Sequence, residues 1–335
     1  MSITFSELGG LNDPIFGKHI DPITMMMEKR SEEHENKSLL PYLFAMENSD
    51  KYSETLGDMT NMDEWMPVVE GGEVPVTGMH VGFTKNITHV TFMQSFGVTR
   101  QAIKDSKILD LKGRPAQFVA GYYRGRETIG SGLFGAALKQ DSFFEYNGHK
   151  FSATCADGLP LFHQEHPSAD KKIKSKQCNC FSDPFSIEAL DAVETEMQNF
   201  CGHNNDLLTI QPTTIVIPNS ATMKRKVFAA IGADQDPNGS GNGFNYQYGR
   251  WRVIVNNKLN WLLKLGLEPW FLMDEDYNKD AYGAVWFDRE ELDITTNIEP
   301  NRVLKWNGYA RYGLGFNDWR AFAAGGMPQG IKLAG

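Results

Sequence analysis

Residues 304–316 read LKWNGYARYGLGF. Leu304, Trp306, Ala310, Tyr312, Leu314 and Phe316 all fall on even positions, with Lys305, Asn307 and Arg311 between them. Successive side chains of a strand point to opposite faces, so this alternation predicts a long β-strand with one face buried. Leu292, Ile294 and Ile298 begin the same alternation a few residues upstream. Working outward, residues 185–287 alternate between helix and strand. Ser186 is placed to cap a helix whose Ile187, Leu190, Val193, Met197 and Phe200 form one stripe. Residues 213–217 are a short apolar strand stopped by Pro218. Ser220 then caps a helix lined by Met223, Val227 and Ile231 and ended by Gly232. A glycine- and asparagine-rich loop spans 234–249, and short strands are predicted at 251–255, 270–273 and 284–287.

Residues 99–140 read as helical. Thr99 caps a short turn through Asp105, and Pro115 marks the start of a longer helix at about 112–140. Phe118, Tyr122, Ile129 and Leu133 share one face of it. Gly121, Gly125, Gly130, Gly132 and Gly135 oppose the helix by intrinsic propensity, at about 1 kcal/mol each relative to Ala. What such glycines offer is close approach of another part of the chain. Residues 51–98 read as a long hairpin: Trp65 to Val76 holds Pro67, Gly71, Gly72 and Pro75, and on the far side Val90, Phe92, Phe96 and Val98 alternate. A two-stranded arm is marginal alone in water, so it must lie against something. Residues 1–50 do not look like a packed domain, and 1–30 show no sustained period; the segment reads as an extended arm that could carry a short helix and needs a partner surface, the alternative being an exposed tail.

The chain has 335 residues, of which 41% are apolar, so it folds, as roughly two domains or one large one. Lys and Arg number 33 against 42 Asp and Glu, a net charge of −9, which argues against a strong sequence-independent grip on nucleic acid. The start carries no cationic segment leading into an apolar run. The most apolar window, 261–273, is broken by Lys264 and Glu268, so no membrane association is expected. Four cysteines in a chain this long are not a disulfide scaffold, which fits assembly in a reducing cytoplasm.

Chemistry-bearing motifs are few. Residues 130–135, GSGLFG, match GxGxxG, but a dinucleotide site needs a strand before the glycines, and here a helix precedes them. Cys155, His163, His166, Cys178, Cys180, Cys201 and His203 form the one group with metal-ligating chemistry. Their Cys-x-Cys and His-x2-His spacings fit zinc poorly. No nucleophile elbow is present, and no cysteine lies in a protease-like context. No catalytic residue, cofactor or metal is assigned. Lys171, Lys172, Lys174 and Lys176 read as a solvated loop.

The order of these pieces resembles the major capsid proteins of tailed phages, of the Hong Kong 97-type fold, and in particular the Mu-like major head subunits. The likeness rests on FGVTRQAIKDS (96–106), GLPLFHQEHP (158–167), PTTIVIPNSATMKRKVF (212–228) and GYARYGLGFNDWRAFAAG (308–325), the last with its Asp318-Trp319-Arg320 step. The resemblance implies an α+β protein with an N-terminal arm (1–50) and an extended loop (51–97). It implies a peripheral domain (98–184 and 288–317) around a spine helix, and an axial α/β domain (185–287 and 318–335). Trp65, Pro67, Gly71, Gly72, Pro75 and Phe92 would then touch neighbouring subunits, and Asn238, Gly239, Gly241, Asn242 and Gly243 would line the five- and six-fold axes. The implied function is self-assembly, as pentamers and hexamers, into an icosahedral-type shell of the virion. That shell would enclose double-stranded DNA without sequence-specific binding and be built in the host cytoplasm. A portal and a possible decoration protein are implied partners. Residues 1–30 lack the coiled-coil pattern of a fused scaffolding segment, so a separate scaffolding protein is expected. No cross-linking pair is assignable to Lys51, Lys85 or any Asn. Two other readings remain open from sequence alone: an encapsulin-like nanocompartment shell, and a zinc-dependent enzyme using the Cys/His group at 155–203.

Overall fold

The computed structural model describes residues 4–7, 17–59, 65–74, 81–99, 101–102, 108–139, 141–235 and 243–327. Its larger sheet is built on β11 (Ala284–Ile298) and β12 (Val303–Phe316), paired antiparallel from Ala284↔Phe316 to Ile298↔Leu304. β5 (Val90–Thr99) extends it antiparallel on the far side of β12. The other edge of β11 carries two short parallel strands from the chain start, β1 (Thr4–Glu7) and β2 (Ala45–Asn48). Leu304, Trp306, Ala310, Tyr312, Leu314 and Phe316 are all buried, as their alternation requires. From Gly313 onward the opposite face is buried as well, for a reason given below.

The long helix α3 (Ile108–Ala136) crosses this sheet. Phe118, Val119 and Tyr123 pack with Leu292, Ile294, Leu304 and Trp306. The helix begins earlier than the sequence indicates, and Pro115 lies inside it rather than at its first turn. Three of its glycines are required by what touches them. A Cβ on Gly130 would sit 2.3 Å from Leu40, on Gly132 2.3 Å from the Phe144 ring, and on Gly135 2.9 Å from Trp261. The GxGxxG match is thus a packing face, with neighbours on three sides.

At the centre of this contact lies a buried charge pair. Arg126 Nη2 and Asp288 Oδ2 are 3.0 Å apart, and their side chains are 4% and 1% exposed. Arg126 also donates to the Tyr122 hydroxyl, Trp286 Nε1 donates to the second Asp288 oxygen, and the guanidinium lies over the Trp286 ring. Burial opposes the Arg126 charge, but Tyr122 and Asp288 outweigh it and raise the pKa further.

The smaller sheet, in order β13-β10-β8-β9, combines β8 (Thr214–Pro218), β9 (Arg252–Asn256), β10 (Trp270–Met273) and β13 (Phe322–Gly325). Helices α4 (Ile187–Gln198) and α5 (Ala221–Ile231) belong to this region. Ser186 Oγ accepts from Ala189 N, and Ser220 Oγ accepts from Met223 N, the two caps read from sequence.

Three expectations are corrected. Residues 17–48 are not a bare arm: α1 (Gly17–Glu35) is a 19-residue helix, and α2 (Leu40–Leu43) puts Leu40, Leu43 and Phe44 into the core against α3. Ser31 and Glu35 both bond the Tyr123 hydroxyl, and Glu127 takes Ser38 Oγ and Leu39 N. The hairpin is β3 (Ser53–Met59) with β4 (Val81–Thr88), not with Val90–Val98, which is β5 of the main sheet. Residues 284–287 and 292–298 are one strand whose alternation is interrupted by register shifts at Asp288/Glu290 and Glu290/Asp293. The expected turn through Asp105 is described only to residue 102, where Ala102 N bonds Thr99 Oγ1.

Close packing makes one substitution act with opposite sign at two glycines. Gly325→Ala places a methyl 2.2 Å from the fully buried Trp270 ring and should destabilise the subunit by about 1–3 kcal/mol. Gly121→Ala meets nothing nearer than 3.9 Å on α3 and should stabilise by about 1 kcal/mol. Urea unfolding of the two dissociated variants reads both. In the same assay, Arg126→Ala should lose about 3–5 kcal/mol by stranding Asp288.

Candidate assembly surfaces

The hairpin presents two different surfaces. Phe83, Lys85 and Ile87 of β4 face the rest of the chain. Ile87 is buried with Val285, Phe287 and Leu56, and lies over Gly313 and Gly315, which is why β12 is covered there on both faces. Lys85 Nζ donates to Ser152 Oγ at 3.1 Å and Thr154 Oγ1 at 2.8 Å, and Phe83 meets the His203 ring edge-on. Burial pushes the Lys85 pKa down, opposed by Cys155 and Asp157. The tip is the reverse. Trp65 is 99% exposed, and Met66, Val68, Val69 and Val74 are exposed beside it. Pro67, Gly71 and Gly72 are exposed in the same stretch, with Gly71 at φ +79 in a turn closed by Gly72 N to Val69 O. Pro75 lies outside the described residues. A row of large apolar side chains in water is the mark of a contact surface.

Phe92 is not on the hairpin. Its ring stacks on Tyr312 of the same chain at 4.3 Å, and it stays only half-buried. Of the axial-loop candidates, Asn238, Gly239, Gly241 and Asn242 lie outside the described residues; Gly243 is described and exposed. It leads into Phe244, Tyr246 and Tyr248, all exposed, a second apolar patch. This loop is fixed at its base by residues that composition did not single out. Asn245 Nδ2 donates to the carbonyls of Ala230 and Ala233 at the end of α5, and Gln247 Nε2 bonds Asp191 and Glu194 on α4. The local signal was an amide next to each aromatic.

The hairpin root is a polar pivot. His89 is the single residue between β4 and β5, and its ring is buried. Ser49 donates its one hydroxyl hydrogen to Glu54, so His89 Nε2, 3.0 Å from Ser49 Oγ, is the donor there. His89 Nδ1 is then an unprotonated nitrogen with no hydrogen-bond partner among the described residues. Burial and the Arg311 charge lower the His89 pKa, Glu54 raises it, and Arg289 lowers it again.

The Cys/His group does not converge. His166 Nδ1 pairs with Asp157 at 2.6 Å, and its ring stacks on Trp319 at 4.3 Å. His163 Nδ1 accepts from Glu165 N, and His203 Nδ1 accepts from Ala169 N. Cys178 and Cys201 donate to the carbonyls of Cys180 and Asn199, and Cys155 is buried in the core. Burial pushes the Cys180 thiol up to about 12. Among the described residues no three His, Cys, Asp or Glu side chains are grouped to hold a metal ion, so the zinc-enzyme reading loses its ligand set. What the group does is join two of the quoted motifs. His166, from LFHQEHP, stacks on Trp319; Arg320 pairs with Asp318 at 2.9 Å and donates to the Cys201 carbonyl. The five residues fasten the 155–203 segment to the end of β12 from inside.

The sequence profile of a family described as "Phage capsid protein" matches residues 83–325. That is more than half of the chain, and the chain belongs to this family. Three solved structures are similar to it. One, from Microbacterium phage Oxtober96, is 12% identical over 86% of this chain and 90% of the other, with a TM-score of 0.46. The procapsid of bacteriophage JBD30 gives 13% over 93% and 75%, TM-score 0.47. A virus-like particle from Pyrococcus furiosus gives 10% over 89% and 96%, TM-score 0.45. No curated protein matches the sequence. The fold class is α+β. The protein is a capsid subunit, a component of the virion shell. No helix among the described residues is long and apolar enough to cross a membrane.

The pivot predicts a pH dependence. With the folded pKa of His89 lowered, the unfolded chain takes up a proton below its ordinary value of about 6.5 that the folded chain does not. His89 stabilisation is therefore present above that pH and lost as acid is added. Unfolding of the dissociated subunit from pH 7.5 to 5.5 should show the decline, and His89→Gln, which keeps a donor toward Ser49, should make it shallower.

Proposed function

We propose that this chain is the major head subunit of a tailed phage and that it assembles as pentamers and hexamers into an icosahedral-type shell around double-stranded DNA. The observation that carries the reading is the hairpin: anchored on one face by its own chain, it ends in large apolar side chains that stand exposed to water, as a surface that meets another molecule would. In this reading residues 1–50 are the arm and 51–97 the extended loop. Residues 98–184 and 288–317 form the peripheral domain, with α3 as spine. Residues 185–287 and 318–335 form the axial domain, whose loop from Asn238 to Gly243 faces the symmetry axes. Trp65, Pro67, Gly71, Gly72 and Pro75 contact a neighbour, and Phe92 does so from the sheet.

The partners are other copies of the chain, a separate scaffolding protein, a portal and, on the finished shell, a decoration protein. DNA is enclosed rather than gripped, which suits a chain of net charge −9. Assembly takes place in the host cytoplasm, and the subunit has no catalytic role. A nanocompartment shell that encloses enzymes is the second reading; the phage capsid family match favours the head.

Electron microscopy of cells expressing the gene with its genomic neighbours should show closed shells or free capsomers. A uniform monomer under those conditions would defeat the proposal. Replacing residues 66–78 by a short turn should leave the subunit folded by circular dichroism and abolish shells.

A further inference from the structure

Gln117, Gly121, Arg124, Gly125 and Thr128 follow one another at helical spacing on α3 and floor a polar hollow of about 470 Å3. Gln94 of β5, and Lys258 just past β9, also line it. Two cations stand in the hollow, and no acidic side chain lines it among the described residues. Arg124 is turned inward. A Cβ on Gly121 would meet only the Arg124 guanidinium, at 3.9 Å, so the head of that side chain lies back over the bare helix face. Lys258 is held from the other side. The Thr128 hydroxyl donates to the Arg124 carbonyl at 2.7 Å and therefore accepts from Lys258 Nζ at 2.9 Å. Thr128 lies one turn beyond Arg124, so two positive charges flank a single turn of α3. The nearby carboxylate of Glu127 is turned away and takes Ser38 Oγ and Leu39 N. Like charges at this spacing repel, and a concave wall of one sign concentrates anions. We infer that this hollow is a binding site for a phosphate group, carried by a nucleotide or by the backbone of DNA.

The arrangement of donors selects phosphate over carboxylate. A carboxylate is planar, and one guanidinium fork satisfies it. Here the donors come from separate elements: Arg124 and the Gln117 amide from α3, the Gln94 amide from β5, and the Lys258 ammonium, of whose three hydrogens Thr128 takes one. Donors placed around a hollow suit the oxygens of a tetrahedral group, which point in several directions. Phe118 and Tyr146 also line the site, with ring faces of the kind on which nucleobases stack. Contact through two cations per subunit is no grip on DNA. In a chain of net charge −9, the hollow is a place where the repulsion of polyanions is reversed. The inference goes beyond the assembly proposed above and does not depend on it.

Isothermal titration of the purified subunit with dAMP and with a short DNA duplex tests the site. At least one probe should bind at about 50 mM salt, and its affinity, for the duplex, should fall roughly tenfold by about 200 mM, as expected when two phosphates are neutralised. Arg124→Gln with Lys258→Gln should weaken binding about tenfold or more and flatten the salt dependence. Lys171→Gln with Lys172→Gln removes the same charge from an exposed loop and should leave binding nearly unchanged. Urea unfolding checks that each pair folds; if the first does not, Arg124→Gln alone, at an exposed position, should still halve the salt slope. Binding of dAMP at least as tight as that of the duplex identifies a nucleotide as the ligand, and binding of the duplex alone identifies the DNA backbone. Binding of neither probe, binding that survives the loss of Arg124 and Lys258, or an equal loss from the Lys171 and Lys172 pair would overturn the site. If shells form and no phosphate binds, the head reading stands and this site alone falls.

Discussion

The guanidinium of Arg126, sealed between α3 and the larger sheet, sets the geometry that everything else follows. It reaches Asp288 at the point where β11 first loses register with β12, and it lies against the rings of Trp286, Tyr122 and Tyr312. A charge pair this buried is seldom a large net gain over apolar packing; what it supplies is uniqueness of placement. A helix held to a sheet by apolar contact alone can slide by a turn. One held by a two-oxygen carboxylate that also receives Trp286 Nε1 has a single position. Glycines at 130, 132 and 135 then bring Leu40, Phe144 and Trp261 onto the same helix at fixed points. The arm, the hairpin of β6 (Phe143–Tyr146) and β7 (His149–Ser152), and the smaller sheet thus share one reference body.

A shell subunit needs this division between a fixed body and adaptable projections, because identical chains must meet slightly different neighbours. The hairpin root meets the requirement with polar contacts. Ser49, Glu54 and His89 link the end of β2, the start of β3 and the junction between β4 and β5. Hydrogen bonds of this kind tolerate small rotations better than interlocked aromatic rings do, and the rings lie further in, at Phe44, Trp286 and Phe316.

How much of this was legible depended on whether a signal was local. The caps at Ser186 and Ser220, the stripes of α4 and α5, and the even-numbered face of β12 were readable because each follows from a short period. β4 was missed because Lys85 sits at the centre of its inward face, where period-two reading demands an apolar residue; its partners, Ser152 and Thr154, are remote in sequence. The start of α3 was misplaced because Pro115 reads as a first-turn residue, while the helix extends through it. β11 looked like two segments because its register shifts disturb the alternation between Asp288 and Asp293. The tip from Trp65 to Gly72 was legible as a cluster of turn residues, and the structure shows those residues exposed.

The pairing of β1 with β11 has a consequence for how the chain is made. Thr4 lies beside Asp293, and Ala45 beside Val285, so β1 and β2 find their partner only after β11, far later in the chain, has been made. Loop closure over such separations is slow, and the larger sheet is completed only after β11 and β12 have been made. Until then the edge of β11 does not yet exist and the N-terminal strands have nothing to pair with. Only a chain that includes both β11 and β12 has the finished sheet on which the hairpin root is built. Truncated products would therefore lack the surfaces needed to enter a growing shell, and the topology itself acts as a check on completeness.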